Sequence, residues 1–225
     1  MTRNTTQFIR ELAQAATPVR RLPAPWLRAS LWCSLALPYL ALVWLLWPKA
    51  HASIPATGSF ALEQVAALAT AVIAAIAAFA TVIPGSSKKI ALAPVVPLAV
   101  WIATVATRCA HEWSGVGHLP PLLVHCACLP ATLVAGGLPA IVIVAMLRRG
   151  APLMPHLTTA LAALATAGIA NFGIRFVHAF DSGAVVLVWH LLAVFGIALV
   201  LTALGDRIVS WRHTLAASTA STVGR

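Results

Sequence analysis

The sequence predicts an all-α membrane protein with six transmembrane helices in a single bundle. Of its residues, 60% are hydrophobic and only 9% are charged, which is more apolar sequence than a soluble core needs. Six apolar runs are each long enough to cross the roughly 30 Å hydrocarbon core of a bilayer. The runs are continuous and rich in Ala and Leu rather than alternating, so they predict helices and exclude a transmembrane β-barrel.

The chain begins with a polar segment, residues 1–28, that we expect to form a cytoplasmic arm. Its apolar residues recur at three- and four-residue spacing, which predicts an amphipathic helix. A basic segment interrupted by prolines then leads into the first apolar run. One interpretation is a positive flank that sets topology and lies on anionic lipid. The other is a docking arm for a cytoplasmic partner, with contacts through Phe8, Ile9, Leu12, Arg20, Arg21 and Arg28.

The six predicted spans make up a transmembrane domain, residues 29–206, and a short cytoplasmic tail, residues 207–225, follows it. The spans are expected at about 29–48, 61–83, 90–107, 120–147, 157–177 and 183–205. Many Ala and Gly residues within them favour close helix packing.

Lys and Arg are distributed unevenly between the two sets of connections. One set holds the arm, Lys88-Lys89, Arg148-Arg149 and the C-terminal tail, whereas the other holds only Lys49 and Arg108. Because basic residues favour the cytoplasmic side, both termini are predicted to be cytoplasmic. The net charge of +10 is thereby explained by topology, so the predicted surroundings are a lipid bilayer and no direct nucleic-acid partner is expected.

Cysteine and histidine residues collect on the predicted outer side. Two are expected in the second outer loop, two at the start of span four and one in the third outer loop, namely Cys109, His111, Cys126, Cys128 and His178. Cys and His are the ligands that soft or borderline metals prefer, so a metal ion at the outer face is the one cofactor that we consider. A disulfide or reactive thiol would suit an oxidising compartment. Equally, the cysteines could be small packed residues and the histidines interfacial ones.

Three ionisable residues within the predicted spans form a candidate polar cluster. Glu63 starts span two and Arg175 is near the outer end of span five, so the two could pair at one depth. His190 lies in span six. Charges within spans are costly and usually have partners, so a structural polar cluster is favoured over a proton or ion path. A haem held by His125 and His190 is less favoured, because a membrane cytochrome would carry more histidine pairs.

The motifs of common enzymes are absent from the sequence. It contains no Walker loop, no serine nucleophile elbow, no HExxH and no evident carboxylate pair, so we predict a protein that is not an enzyme. From the residues alone, a small membrane redox or metal-transport protein that uses the outer Cys and His residues remains an alternative.

Four stretches carry a resemblance to a known family: FIRELAQAATPVRRLPAPWLRASLW, PGSSKKIALAP, MLRRGAPLMP and VLVWHLLAVFGIALVLTALGDRIVSW. In order and spacing they resemble the NrsF proteins, negative regulators of sigma F, which are six-span inner-membrane anti-sigma factors. The resemblance implies that the chain holds an extracytoplasmic-function sigma factor at the inner membrane. It also implies release of that factor when the outer face senses a metal or an oxidant stress.

The resemblance also implies a cysteine switch. Family members carry one cysteine early in span four and a second after span five, in a His-Cys pair. Cys126 or Cys128 matches the first position, but His178-Ala179 stands at the second. A simple two-cysteine switch is therefore incomplete here. Either Cys109, His111 or His178 substitutes, or the stimulus differs.

Overall fold

The computed structural model describes residues 5–15, 22–47, 57–116, 128–150, 152, 154–177 and 182–192, with residues 196, 199, 202 and 203 beyond them. No strand occurs in these ranges. The helices are α1 (Thr5–Ala15), α2 (Pro25–Leu46), α3 (Gly58–Ala80), α4 (Val95–Val116), α5 (Cys128–Leu147), α6 (Pro155–Val177) and α7 (Gly183–Val185). A short 3₁₀ helix, Lys88–Leu92, precedes α4, and a π-helical turn, Val186–His190, continues α7.

The described helices include five that are long and apolar enough to cross a membrane, which confirms an all-helical chain of membrane type. They are Pro25–Leu46, Gly58–Ala80, Lys89–Gly115, Pro130–Leu147 and Pro155–Val177. The sixth predicted span begins at α7, but beyond residue 192 the structure describes only residues 196, 199, 202 and 203 of it. The six-span count and the cytoplasmic termini therefore stay predictions.

The predicted amphipathic helix of the arm is present as α1. It has no buried residue, and its apolar side chains Phe8, Ile9 and Leu12 are 45%, 60% and 56% exposed. Apolar side chains exposed on one helix face are stabilised when a lipid surface or a partner protein removes them from water.

Helices α3 and α6 form the centre of the bundle. Their facing sides are rich in buried alanines, including Ala71, Ala74 and Ala165, each fully shielded from solvent. Small residues let backbones approach closely in membranes, where dispersion contacts hold helices together. The closest approach is at Gly168, where a Cβ would lie 3.1 Å from the backbone nitrogen of Ala71 and 3.2 Å from the Ala67 carbonyl oxygen.

Helix α2 is fixed to α5 by side chains that donate to backbone carbonyls. The indole Nε1–H of Trp32 donates to the Pro139 carbonyl at 2.9 Å. The hydroxyl of Tyr39 donates to the Val134 carbonyl at 2.6 Å. Because bilayer hydrocarbon supplies no competing partner, such bonds fix the register between the two helices.

Further contacts join the helix ends where α2 begins and α3 and α5 finish. The guanidinium of Arg28 donates to the Met146 carbonyl and lies 4.4 Å from the Phe79 ring centroid, a cation–π contact. Beside it, the hydroxyls of Thr81 and Thr158 share a buried hydrogen bond of 2.8 Å. We call this the threonine end of the bundle.

The beginning of α2 and the end of α4 differ from the sequence-based boundaries. Helix α2 starts at Pro25 and so includes Arg28, which was assigned to the exposed arm but is only 5% exposed. Helix α4 was expected to finish near Thr107 but runs to Val116. The segment from Arg108 to Trp113 is therefore helical, not a loop, because its charged residues find partners on neighbouring helices.

Candidate functional site

The opposite end of the bundle carries a cluster of charged side chains centred on Glu63. Each of its carboxylate oxygens accepts one hydrogen bond from an arginine. Nε of Arg175 donates to Oε1 at 2.8 Å, and Nη1 of Arg108 donates to Oε2 at 3.0 Å. Glu63 is near the start of α3 and Arg175 is near the end of α6, whereas Arg108 is in the second half of α4. One carboxylate thus ties three helices together.

Glu112 extends the cluster to α7. Its Oε1 lies 3.8 Å from Nε of Arg108, one helical turn back on α4. Both of its carboxylate oxygens also accept from the backbone N–H of Gly183, at 3.0 and 2.7 Å. The Glu112 carboxylate thereby satisfies one of the N–H groups that the first turn of a helix leaves unpaired. We name Glu63, Arg108, Glu112 and Arg175 the ion-pair cluster.

Burial differs greatly within the ion-pair cluster. The side chains of Arg175 and Glu63 are 0% and 3% exposed, whereas Arg108 is 24% and Glu112 is 37% exposed. Breaking a buried pair by removing one partner costs much more than the pair contributes when intact, because a buried charge is left uncompensated. Glu63 with Arg175 is therefore the fixed part, and Arg108 with Glu112 is the part that can rearrange.

Arg108 keeps unused hydrogen-bonding capacity. Its Nε and Nη2 groups are buried and have no hydrogen-bond partner among the described residues. A guanidinium has five N–H donors in a planar fork that fits a carboxylate in bidentate fashion. Arg108 could therefore leave Glu63 and bind both carboxylate oxygens of Glu112 through its Nε and Nη2 groups.

Aromatic rings surround the buried arginine. The Phe60 ring centroid lies 5.6 Å from the guanidinium carbon of Arg175, within the range of a cation–π contact. Phe176 packs edge-on against both Phe60 and Phe172, with centroid distances of 6.1 and 5.2 Å. The rings exclude solvent from the Glu63–Arg175 pair, which strengthens its electrostatic attraction.

Close backbone packing lies directly beside the ion-pair cluster. A Cβ at Gly183 would lie 2.7 Å from the backbone nitrogen of Cys109, so α7 rests on α4 where only glycine fits. The hydroxyl of Ser182 accepts from the N–H of Val185 and caps this helix start. The following π-helical turn, Val186–His190, is a local geometry that often occurs at functional sites.

The sequence-predicted site residues have different outcomes. Glu63 and Arg175 pair as expected. Cys109 is a half-buried free thiol on α4, and His111 is exposed two residues further on. Cys128 begins α5 and His190 ends the π-helical turn, but their side chains lie outside the described part, as do Cys126, His178, Arg20 and Arg21 entirely. Among described residues, no group of three His, Cys, Asp or Glu side chains could hold a metal.

Sequence reasoning missed Arg108 and Glu112 as members of the ion-pair cluster. The i, i+4 spacing of two opposite charges is the usual signature of a pair on one helix face. That spacing could have indicated that α4 continues beyond Thr107 and presents both charges to its neighbours.

A family model described as NrsF, negative regulator of sigma F, matches residues 12–211. Neither a curated protein nor a solved structure matches the chain significantly.

Proposed function

The chain belongs to the NrsF family, the negative regulators of sigma F, and on that premise we propose that it is a membrane-bound anti-sigma factor. It holds an extracytoplasmic-function sigma factor at the bacterial inner membrane and releases it when a metal or redox stress reaches the outer face. The family is a regulatory one, and the proposal includes no catalytic step. The observation that carries it is the match to 12–211, which covers the bundle and the last four residues of α1.

Helix α1 is the proposed contact surface for the sigma factor. Its apolar residues are exposed, and no residue of this helix is buried. An amphipathic helix of this kind can place its apolar face in a groove on a partner. Arg20 and Arg21 follow it and would meet acidic side chains, which favours association by electrostatic attraction. Arg28 is omitted from this surface because it is buried beneath the Phe79 ring.

The distribution of basic residues supports the proposed orientation. The threonine end is next to the arm, Lys89, Arg148 and Arg149, so it is the cytoplasmic end by the positive-inside tendency. The ion-pair cluster then lies at the outer face. In this orientation the sensing end and the sigma-binding end are joined by α3 and α6, which both run the length of the bundle.

The proposed signal acts on the α4–α7 contact. Cys109 and His111 lie on α4 between Arg108 and Glu112, so oxidation or metal binding there would disturb the pairing of both charges. Cys126, Cys128 and His178 are the candidate additional ligands or thiols. Arg108 would leave Glu63 for Glu112, and α3 and α6 would repack around the remaining Glu63–Arg175 pair. Two discrete pairings of one arginine give the bistable element that a switch requires.

The docking surface is tested by co-purification. The tagged chain is produced in membranes with a candidate sigma factor and extracted in mild detergent. We expect Leu12→Ser to weaken the complex by about 1–2 kcal/mol, or roughly 5–30-fold, because it removes an apolar anchor. Reversing the charge of Arg20 and Arg21 to Glu should also weaken it.

A matched control lies on the opposite face of α1. Gln14→Ser changes an exposed polar residue of the same helix and should leave the complex intact. Equal binding by the Leu12→Ser and Gln14→Ser chains, with both well inserted, would rule out α1 as the contact surface. Absence of any complex with the wild-type chain would turn attention to the alternative of a metal or redox protein.

A further inference from the structure

A cavity of about 210 Å3 lies in the middle of the bundle, one helical turn from the Glu63–Arg175 pair. It is bounded by α3, α4, α6 and the start of the sixth apolar run. Its inner wall is formed by buried side chains, among them Thr70, Trp101 and Ala167, and its rim by half-buried ones such as Leu98 and Leu164. A buried wall with a half-buried rim gives the cavity a mouth on the side of the bundle.

The lining is apolar except for the side chains of Thr70, Trp101 and Asn171. Thr70 uses its hydroxyl to donate to the Ala66 carbonyl at 2.7 Å. Trp101 is 4% exposed, and its indole Nε1–H is buried with no hydrogen-bond partner in the described part of the chain. A buried donor without an acceptor is unfavourable, so the site gains stability from a guest that supplies one.

The volume is large enough for a small organic molecule. An apolar cavity of about 150 Å3 in a protein core stays dry and binds benzene, and this cavity is larger. Leaving it empty would forfeit the dispersion contacts of its lining side chains. The cavity lies at mid-length of membrane-type helices, so its mouth would face bilayer hydrocarbon, where uncharged molecules dissolve.

We propose that this cavity binds a small, uncharged aromatic molecule that carries one hydrogen-bond acceptor and enters from the bilayer. The ring fills the apolar space, and the acceptor, a carbonyl or ether oxygen, takes the N–H of Trp101 after a small tilt of the indole. Binding here needs no sigma factor, so it stands or fails independently of the anti-sigma proposal.

The test uses the full chain in lipid nanodiscs with a photoreactive apolar probe, 3-trifluoromethyl-3-phenyldiazirine. Labelled positions are mapped by mass spectrometry over a range of probe concentrations. We expect a saturable component on the cavity-lining residues of α4 and α6, and a linear, unsaturable one on lipid-facing residues. Excess acetophenone should abolish the saturable component.

Substitution of Trp101 tests the hydrogen bond. Acetophenone and ethylbenzene have nearly the same shape, but only acetophenone carries an acceptor. In the Trp101→Phe chain, acetophenone should compete several-fold less well than in the wild type, with ethylbenzene unchanged. Trp113→Phe, at an exposed tryptophan of the same helix, should leave both competitors unchanged.

A second variant tests the space itself. Ala167→Leu would fill the cavity and remove the saturable labelling, whereas Ala103→Leu, on the exposed face of α4, would retain it. Linear labelling alone in the wild type would overturn the proposal, because lipid chains or the protein's own side chains would then fill the space. Unchanged competition by acetophenone in Trp101→Phe would overturn the assignment of the acceptor. The wild-type measurement decides the first point even if Ala167→Leu fails to fold.

Discussion

Glu63 is a single carboxylate that two arginines on different helices share. Arg175, its closer partner, is fully buried, and its charge has little contact with water. The pairing of Glu63 with Arg175 could be expected from sequence, because two charges at one depth in a membrane need each other. The participation of Arg108 could not, because an arginine near a predicted span end is ordinarily explained by lipid headgroups or solvent.

Neutralising Glu63 tests the ion-pair cluster. Glu63→Gln keeps the shape of the side chain but removes the carboxylate that Arg175 and Arg108 share. We expect a loss of about 3–5 kcal/mol in the free energy of unfolding, since a buried ion pair loses one partner. The measurement is reversible unfolding in detergent micelles.

The matched control for this change is Glu11→Gln on the exposed helix α1. It should alter the free energy of unfolding by no more than about 0.5 kcal/mol. Similar small effects from both substitutions would mean that Glu63 carries no structural charge in the folded bundle.

Hydropathy predicts only part of the length of helix α4. Its apolar part was predicted correctly, because a continuous apolar run indicates a span. Its last turns were not, because Arg108, His111 and Glu112 look like loop residues when considered one at a time. The helix continues because Glu63 binds Arg108 and the Gly183 N–H binds Glu112, and such long-range partners cannot be predicted from local sequence.

The α3–α6 contact depends on the absence of a side chain at Gly168. Gly168→Ala would place a Cβ within 3.2 Å of backbone atoms of Ala67 and Ala71, which cannot move aside as a flexible side chain can. We expect destabilisation of about 1–3 kcal/mol from this overpacking, measured by thermal unfolding in detergent.

The same substitution at Gly137 should have the opposite sign. No atom lies within 4 Å of a Cβ there, and alanine in a helix is favoured over glycine by roughly 0.5–1 kcal/mol. A stabilising effect at both positions would show that α3 and α6 are farther apart than the structure places them.

The threonine end and the ion-pair cluster lie at opposite ends of the bundle. The class of fold followed from composition, and the amphipathic α1 from spacing, since both are local properties. The burial of Arg28 did not follow, because it depends on Phe79 and Met146, which are distant in sequence. The outer Cys and His residues as a set remain a prediction, since Cys126 and His178 lie outside the described residues.

Orientation in the membrane is testable with single cysteines in a chain whose four native cysteines are replaced by alanine. Ser114→Cys, near the ion-pair cluster, should react with a membrane-impermeant maleimide on intact cells, because we place that end outside. Ser86→Cys, in the turn between α3 and α4, should react only after the membrane is permeabilised. Both serines are exposed, so the difference reports sidedness. The reverse pattern would invert the topology and remove the proposed outer sensor.

The composition of the ion-pair cluster has an electrical consequence. Its two carboxylates and two guanidiniums carry equal and opposite charge, so moving them together across the membrane potential transfers no net charge. A single uncompensated charge would instead couple to that potential by about 2.3 kcal/mol per 100 mV. An exchange of partners moves only the Arg108 guanidinium, and only within the cluster at one end of the bundle, so it would cross a small part of the membrane potential. The bundle could then respond to chemistry at its surface with little dependence on that potential.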